Sequence, residues 1–258
     1  MILCLDVGNS HIFGGVFSDE QLLLTFRYST KQQAATSDQM GVFLKSVLRD
    51  NDINSNAIKH IAISSVVPDI DYSLRSACSK YFRVKPFFLH AGVVTGLSYA
   101  IEQPTELGAD RLATAIAAIN QFPQQNIIVV DLGTATTFCA ITADKCYLGG
   151  VIMPGMRLSM EALQFNTAKL SAVEIIKPTH YVGRTTATNI QAGLYFGQLA
   201  AIRQITAGII QESFADHKPV VIGTGGFAHL FRDEQVFDSL QSDLVLHGIR
   251  FAWLLNHR

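Results

Sequence analysis

Cysteine is scarce: Cys4, Cys78, Cys139 and Cys146 are the only four in 258 residues, and none forms a Cys-x-x-Cys pair. That excludes a disulfide scaffold and offers no metal-ligand spacing, so free thiols in a reducing compartment, the cytoplasm, are expected. Long apolar runs are also missing. Although 48% of residues are hydrophobic and mean hydropathy is +0.24, no run reaches the roughly 18 residues of a membrane-spanning helix. Gln198, Arg203 and Gln204 interrupt the greasiest helical stretch, 193–210. Charged residues make up 16% and the net charge is −1, which leaves no Lys/Arg surplus for holding nucleic acid. The first apolar run has no basic segment before it and stops at Asp6, which argues against a signal peptide. The apolar excess therefore belongs to a buried sheet and a subunit interface.

What is present is one turn written twice. Asp6-Val7-Gly8-Asn9-Ser10 follows the apolar run 1–5 and precedes 11–17; Asp131-Leu132-Gly133-Thr134-Ala135-Thr136 follows 127–130 and precedes 137–141. Strand, acidic residue, glycine-hydroxyl turn and strand predict a tight hairpin with a carboxylate at the end of its first strand. Glycine lets a backbone come close to a ligand, while turn amides and hydroxyls donate to phosphate oxygens. The Asp can hold a cation beside those oxygens. One Asp-x-Gly is a common turn, but two in matched strand settings point to phosphate binding. Facing each other across a cleft, the two turns would grip a nucleoside triphosphate from both sides.

The rest of the chain repeats the same plan. Strands are predicted at 1–7, 11–18 and 21–28, then a helix over 37–50 with Ser37 as its cap and Met40, Phe43, Leu44, Val47 and Leu48 on one face. A strand at 58–67, a helix at 70–81 after Pro68 and a strand at 85–89 follow. In the second half, strands at 127–131, 136–142 and 146–150 precede helices at 155–168 and 186–213. The strand 219–222 then runs into Gly223-Thr224-Gly225-Gly226, and a helix over 244–255 closes the chain. Between the halves, Gly108 opens an Ala-rich helix over 109–119. The class is α/β, with rigidly joined lobes at 1–120 and 121–258.

Two similar lobes, each with a phosphate hairpin, resemble the actin and hexokinase superfamily, whose ribonuclease H-like lobes enclose a nucleotide cleft (the actin-like ATPase fold). Within it the chain resembles the type III pantothenate kinases along nearly its whole length. The motifs are Asp6–Ser10, Gly108-Ala109-Asp110-Arg111, Asp131–Thr136, Gly149–Gly155 and Thr224-Gly225-Gly226. Of these, Gly-Ala-Asp-Arg at a helix start is the most specific. Ser10 stands where the family commonly has Thr, and keeps the hydroxyl.

The resemblance implies transfer of the ATP γ-phosphate to the terminal hydroxyl of pantothenate, the first step of coenzyme A synthesis. Asp110 would be the general base, ionised near neutrality because a helix start favours a carboxylate. Arg111 would hold the pantothenate carboxylate through a bidentate fork. Gly108, Ala109, Tyr99 and Thr186 would complete the substrate pocket; the neighbouring Thr185 leaves that register open. Asp6 would handle Mg²⁺, and Asp131 a monovalent cation, K⁺ or ammonium. Val7, Gly8, Asn9 and Ser10, the outgoing His11, Ile12 and Phe13, and Gly133, Thr134, Gly225 and Gly226 would line the nucleotide; the His11 side chain is given no chemistry. A homodimer with a shared active site is implied, with no nucleic acid and no membrane as partner. Another small-molecule kinase or phosphatase of the superfamily, or an ATP-binding regulator of transcription without kinase activity, are the competing readings.

Overall fold

The computed structural model describes residues 1–30, 36–215 and 217–257. The opening apolar run becomes β1 (Ile2–Val7), which turns back as β2 (His11–Ser18) and again as β3 (Gln21–Ser29). β3 alternates exposed and half-buried residues, as a strand covered on one face does. Helix α1 (Ser37–Asp50) is capped by Thr36, not Ser37. The Thr36 hydroxyl accepts from the Gln39 amide at 3.3 Å, and the Gln39 side chain accepts from the Thr36 amide at 2.9 Å. That reciprocal pair needs a Gln or Glu three residues on, which Thr36 has and Ser37 lacks. Strand β4 (His60–Ser65), α2 (Pro68–Ala77) and β5 (Phe87–Phe88) follow, and α2 runs on as one π turn, Cys78–Phe82. The sheet order is β3-β2-β1-β4-β5, antiparallel on the β2 side of β1 and parallel on the β4 side. Leu3, Leu5 and Val7 of β1 and Ile61 and Ile63 of β4 form a core with Met40, Leu44 and Leu48 of α1 and Ile70 and Leu74 of α2. Each such side chain is stabilised by about 1.5–3 kcal/mol on full burial.

The second sheet repeats that order. After the short β6 (Ser98–Tyr99) and helix α3 (Ala109–Gln121) come β7 (Ile127–Leu132), β8 (Ala135–Ile141) and β9 (Cys146–Pro154). Helices α4 (Met156–Asn166) and α5 (Thr186–Ser213), strands β10 (Val220–Thr224) and β11 (Ser239–Leu240), and helix α6 (Leu244–Asn256) complete the chain. The order is β11-β10-β7-β8-β9-β6. Apart from the added β6, this is the first sheet again, with β7 in the place of β1. Leu194, Tyr195, Leu199 and Ile202 of α5 pack with Ile128 and Val130 of β7 and Phe138 of β8 in its core.

By their contacts the residues fall into two compact units: 1–97, 102–117 and 244–258 in one, 98–101 and 118–243 in the other. The sequence division near residue 120 keeps α6 with the second half; its packing puts it in the first unit, against β1 and β4. Small residues make that possible. Cys4 and Ala62 are fully buried, a Cβ on Gly15 would lie 2.7 Å from Leu246, and one on Gly248 would run into the Ala113 carbonyl of α3. Among the described residues no helix is long and apolar enough to cross a membrane.

Candidate functional site

Both Asp-x-Gly motifs lie where a strand ends in a hairpin, and the two loops differ. The last pair before the first turn is Val7 with Ile12, which leaves four residues, 8–11, in the loop. Before the second it is Leu132 with Thr136, which leaves three, 133–135. The Gly8 amide donates to the His11 carbonyl at 3.0 Å, and the Gly133 amide to the Ala135 carbonyl at 3.1 Å. Similar sequences thus close with different reach, and neither loop is a two-residue turn.

In the first unit, Asp6 is the penultimate residue of β1, half-buried, and accepts a hydrogen bond from the Ser64 hydroxyl at 3.0 Å. Parallel pairing sets Asp6 opposite Ser64, so the ends of β1 and β4 meet at one edge. Thr30 fixes the turn from the end of β3: its hydroxyl donates to the Gly8 carbonyl at 3.1 Å and its amide to the Ser10 carbonyl at 3.0 Å. Asn9 and His11 are exposed and Ser10 half-buried. Val7, Ile12 and Phe13 are buried, so that part of the segment offers only backbone to a ligand. Arg27 lies 4.0 Å over the Phe13 ring.

The Gly108–Arg111 segment comes to the same end of this sheet. The Val66 amide donates to the Val7 carbonyl at 3.0 Å, and a Cβ built on Gly108 would lie 3.7 Å from Val66 and 2.7 Å from Asp110 Oδ1. Gly108 thus leaves space that the Asp110 carboxylate uses. Asp110 stands in the first turn of α3, and its Oδ1 accepts from the Arg111 amide at 2.7 Å. Burial raises its pKa above the ordinary carboxylate value, against the opposing pull of the Arg111 amide and guanidinium. The helix start favours the carboxylate, but loss of water is the larger effect.

In the second unit three segments meet at the second turn, one of them directly at Asp131. Thr224 pairs with Asp131 across β10 and β7. The Gly225 that follows, at φ +90°, has no room for a Cβ: one would run into Asp131 Oδ1 and lie 2.6 Å from the Leu132 backbone. Gly155 donates its amide to the Thr134 carbonyl at 3.1 Å, and a Cβ there would sit 2.5 Å from the Gly133 carbonyl. Gly133 itself would bring a Cβ to 3.4 Å from Asp131 Oδ1. Thr134 is exposed at the tip, and Gly226 has open space where a Cβ would go.

Two candidates lie apart from this turn or resolve differently. Tyr99 pairs with Tyr147 at the start of β9, whereas Pro154 pairs with Ala135 at the turn end. Seven residues of strand put Tyr99 roughly 20 Å from the second turn. Thr185 is the cap of α5, its hydroxyl accepting from the Thr188 amide, while Thr186 begins the helix exposed. Of the two, Thr186 is the one whose hydroxyl is not taken up by the cap. Among the described residues no three His, Cys, Asp or Glu cluster as metal ligands.

A family profile describing type III pantothenate kinases matches residues 2–208. The chain belongs to the type III pantothenate kinase family. It is 56% identical, over 256 residues covering 99% of both chains, to the type III pantothenate kinase of Legionella pneumophila strain Corby. Among solved structures, a Baf family transcriptional activator from Campylobacter jejuni superposes with a TM-score of 0.60 at 18% identity, covering 99% of this chain and 98% of that one. The activator of 2-hydroxyisocaproyl-CoA dehydratase from Clostridium difficile, solved with bound ADPNP, gives 0.52 at 8%, covering 99% and 96%. These two likenesses speak for the fold, a two-unit actin-like ATPase architecture.

Sequence reasoning missed Ser64, Thr30 and the packing role of Gly155. Ser64 could have been noticed as a hydroxyl closing a predicted strand, but its partner depends on register. Gly155 is legible only as one motif among several until β9 is seen to return beside the turn.

Proposed function

We propose that this member of the pantothenate kinase family transfers the γ-phosphoryl group of ATP to the terminal hydroxyl of pantothenate, giving 4′-phosphopantothenate and ADP in the first step of coenzyme A synthesis. The observation that carries the reading is the Asp110–Arg111 pair at the start of α3. A half-buried carboxylate whose affinity for a proton is raised by burial stands beside a guanidinium. A binding module has no use for that combination; an alcohol kinase does. Asp110 takes the hydroxyl proton as the oxygen bonds to phosphorus and the bond to ADP breaks. Arg111 holds the pantothenate carboxylate, with Tyr99, Gly108, Ala109 and Thr186 around the remainder of the substrate.

Asp6 with the neighbouring Ser64 hydroxyl is a donor set suited to Mg²⁺, which keeps several waters and takes few protein ligands. The ion, when bound, neutralises phosphate charge. Asp131, whose carboxylate lies beside Gly225 and Gly133 of the turn, suits K⁺ or ammonium. Gly8, Asn9, Ser10, Gly133 and Thr134 offer amides and hydroxyls to phosphates, and Gly225 and Gly226 bring backbone to the adenosine.

Assembly as a homodimer in the cytoplasm completes the proposal. Gly193, Gly197, Ala200 and Gly208 are exposed along α5, and the three glycines have nothing within 4 Å of a built Cβ. The same unit exposes Ile152, Phe165, Tyr181 and Val182, at 63%, 78%, 72% and 80%. A stripe of small residues beside large apolar ones suits a second copy, since it lets backbones approach. The free thiols Cys4, Cys78 and Cys139 are buried, and Cys146 partly so, in keeping with a reducing compartment. The deciding experiment is ADP release on adding pantothenate to the purified protein with ATP and Mg²⁺, with and without K⁺. Hydrolysis that ignores pantothenate would remove the kinase assignment.

A further inference from the structure

A cavity of about 740 Å³ opens at the edge of the first sheet, bounded by the start of β4, the edge strand β5 and the last turns of α6. All of its lining belongs to the first unit. The size is that of a small-molecule site. It is also a different place from the phosphate turn. His60 pairs with Ile2 at one end of the sheet and Asp6 with Ser64 at the other, which separates them by about 13 Å along the strand.

Its chemistry is one-sided. Lys59, Arg75, Arg83 and Lys85 line it, and no Asp or Glu does, in a chain whose acids outnumber its Lys and Arg by 21 to 20. Among the described residues none of these four cations is in an ion pair. Partial desolvation first and neighbouring positive charge second hold His60 below its ordinary pKa. Aromatic surface runs through the same cavity. His60 lies 4.3 Å from Trp253, Trp253 stacks on His257 at 4.8 Å, and the Arg75 guanidinium sits 4.1 Å over Phe88.

Four cations gathered with no ion-pair partner among the described residues ask for a polyanion, and arginine forks suit phosphate oxygens. The exposed His60 ring, packed on the half-buried Trp253, is a surface on which a further planar ring can be added. We propose that this cavity is a second ligand site, for a nucleoside polyphosphate, with phosphates on Lys59, Arg83 and Lys85 and the base against Trp253 and His60. Single-stranded nucleic acid uses similar chemistry, but a tracking groove needs a basic surface longer than one bounded cavity. The inference does not depend on the kinase reading.

Trp253 is the only tryptophan in the chain, so its emission reports the site directly. ADP should change that emission saturably, and calorimetry should count two ADP per chain, one here and one at the kinase site. Lys59→Glu with Lys85→Glu, both exposed, should weaken the Trp253 step by about tenfold or more while ATP KM and kcat stay as in the parent. Arg75→Gln should weaken it too without reversing a charge, and circular dichroism checks that each variant is folded. If the kinase reading fails, the Trp253 step should remain with one ADP per chain. Silent emission up to about 1 mM ADP, or a response that survives charge reversal, overturns the proposal. So does saturation by a ten-residue oligothymidine at far lower concentration than ADP, which would give the site to nucleic acid.

Discussion

Gly225→Ala tests whether the second turn is held by the absence of a side chain. At φ +90° an Ala costs about 1–2 kcal/mol in backbone strain. Its Cβ would also meet Asp131 Oδ1 and lie 2.6 Å from the backbone N and C of Leu132. The carboxylate can swing away, but the Leu132 backbone belongs to β7 and cannot, so overpacking adds about 1–3 kcal/mol. A total near 3 kcal/mol lowers Tm by roughly 6–12 °C for a chain of this size. Displacing the Asp131 side chain by about 1 Å should also cost on the order of a hundredfold in kcat. The neighbouring Gly226→Ala is the control. Nothing lies within 4 Å of its Cβ, so stability should move by no more than about 0.5 kcal/mol, and the effect should fall on ATP KM alone. Thermal unfolding and ADP-release kinetics on both variants decide. Parent-like Tm and turnover in Gly225→Ala, or an equal loss of Tm in Gly226→Ala, would refute the packing argument.

Three further outcomes are expected. Asp110→Asn should reduce kcat by roughly 10²–10⁴. Because burial raises the Asp110 pKa, that group's contribution to stability is present in acid and lost as pH climbs from 3.8 through the raised value. The Asn variant should therefore melt above the parent at pH 7 and converge with it in acid; a lower melting point at pH 7 would reverse the sign. Asp131→Ala should abolish activation by K⁺ or ammonium and leave a folded protein, and full activity of the parent in Na⁺-only buffer would dispose of that cation site. Ala200 and Ala207 are exposed on α5, so Ala200→Glu with Ala207→Glu should yield folded, inactive monomers by sedimentation. A fully active monomeric parent at micromolar concentration would end the shared-site proposal.

Most strands and helices were legible because their apolar periods are regular and their ends carry Gly, Pro or hydroxyl residues; the two-residue strands β6 and β11 are too short to show a period and were not. The misplaced cap shows how close a reading can come: Thr36 and Ser37 are adjacent hydroxyls, and only Gln39 three residues after Thr36 separates them. Asp6, Asp110 and Asp131 could be picked out as single residues. Their surroundings could not, since the Ser64 bond to Asp6 needs the β1–β4 register, the grip on Asp131 needs β10 to return beside β7, and the approach of Gly155 to the turn needs β9 to return beside β8. Gly225 was read as an opening toward the nucleotide, yet its missing side chain first serves Asp131 and Leu132. The basic cavity was hidden for another reason: a balanced total charge says nothing about where the cations gather.

The place of α6 has a consequence for synthesis. The first unit's sheet is made early, but the helix that covers Cys4, Ala62 and Gly15 is residues 244–256, with the second unit's 118–243 in between. At about 5–20 residues per second on a ribosome, the face of β1 and β4 waits on the order of ten seconds for its cover. During that interval a nascent first unit exposes an apolar sheet face, while the second unit has all of its own segments and is free to close around α5 first. The half of the protein translated first is thus the half that finishes folding last.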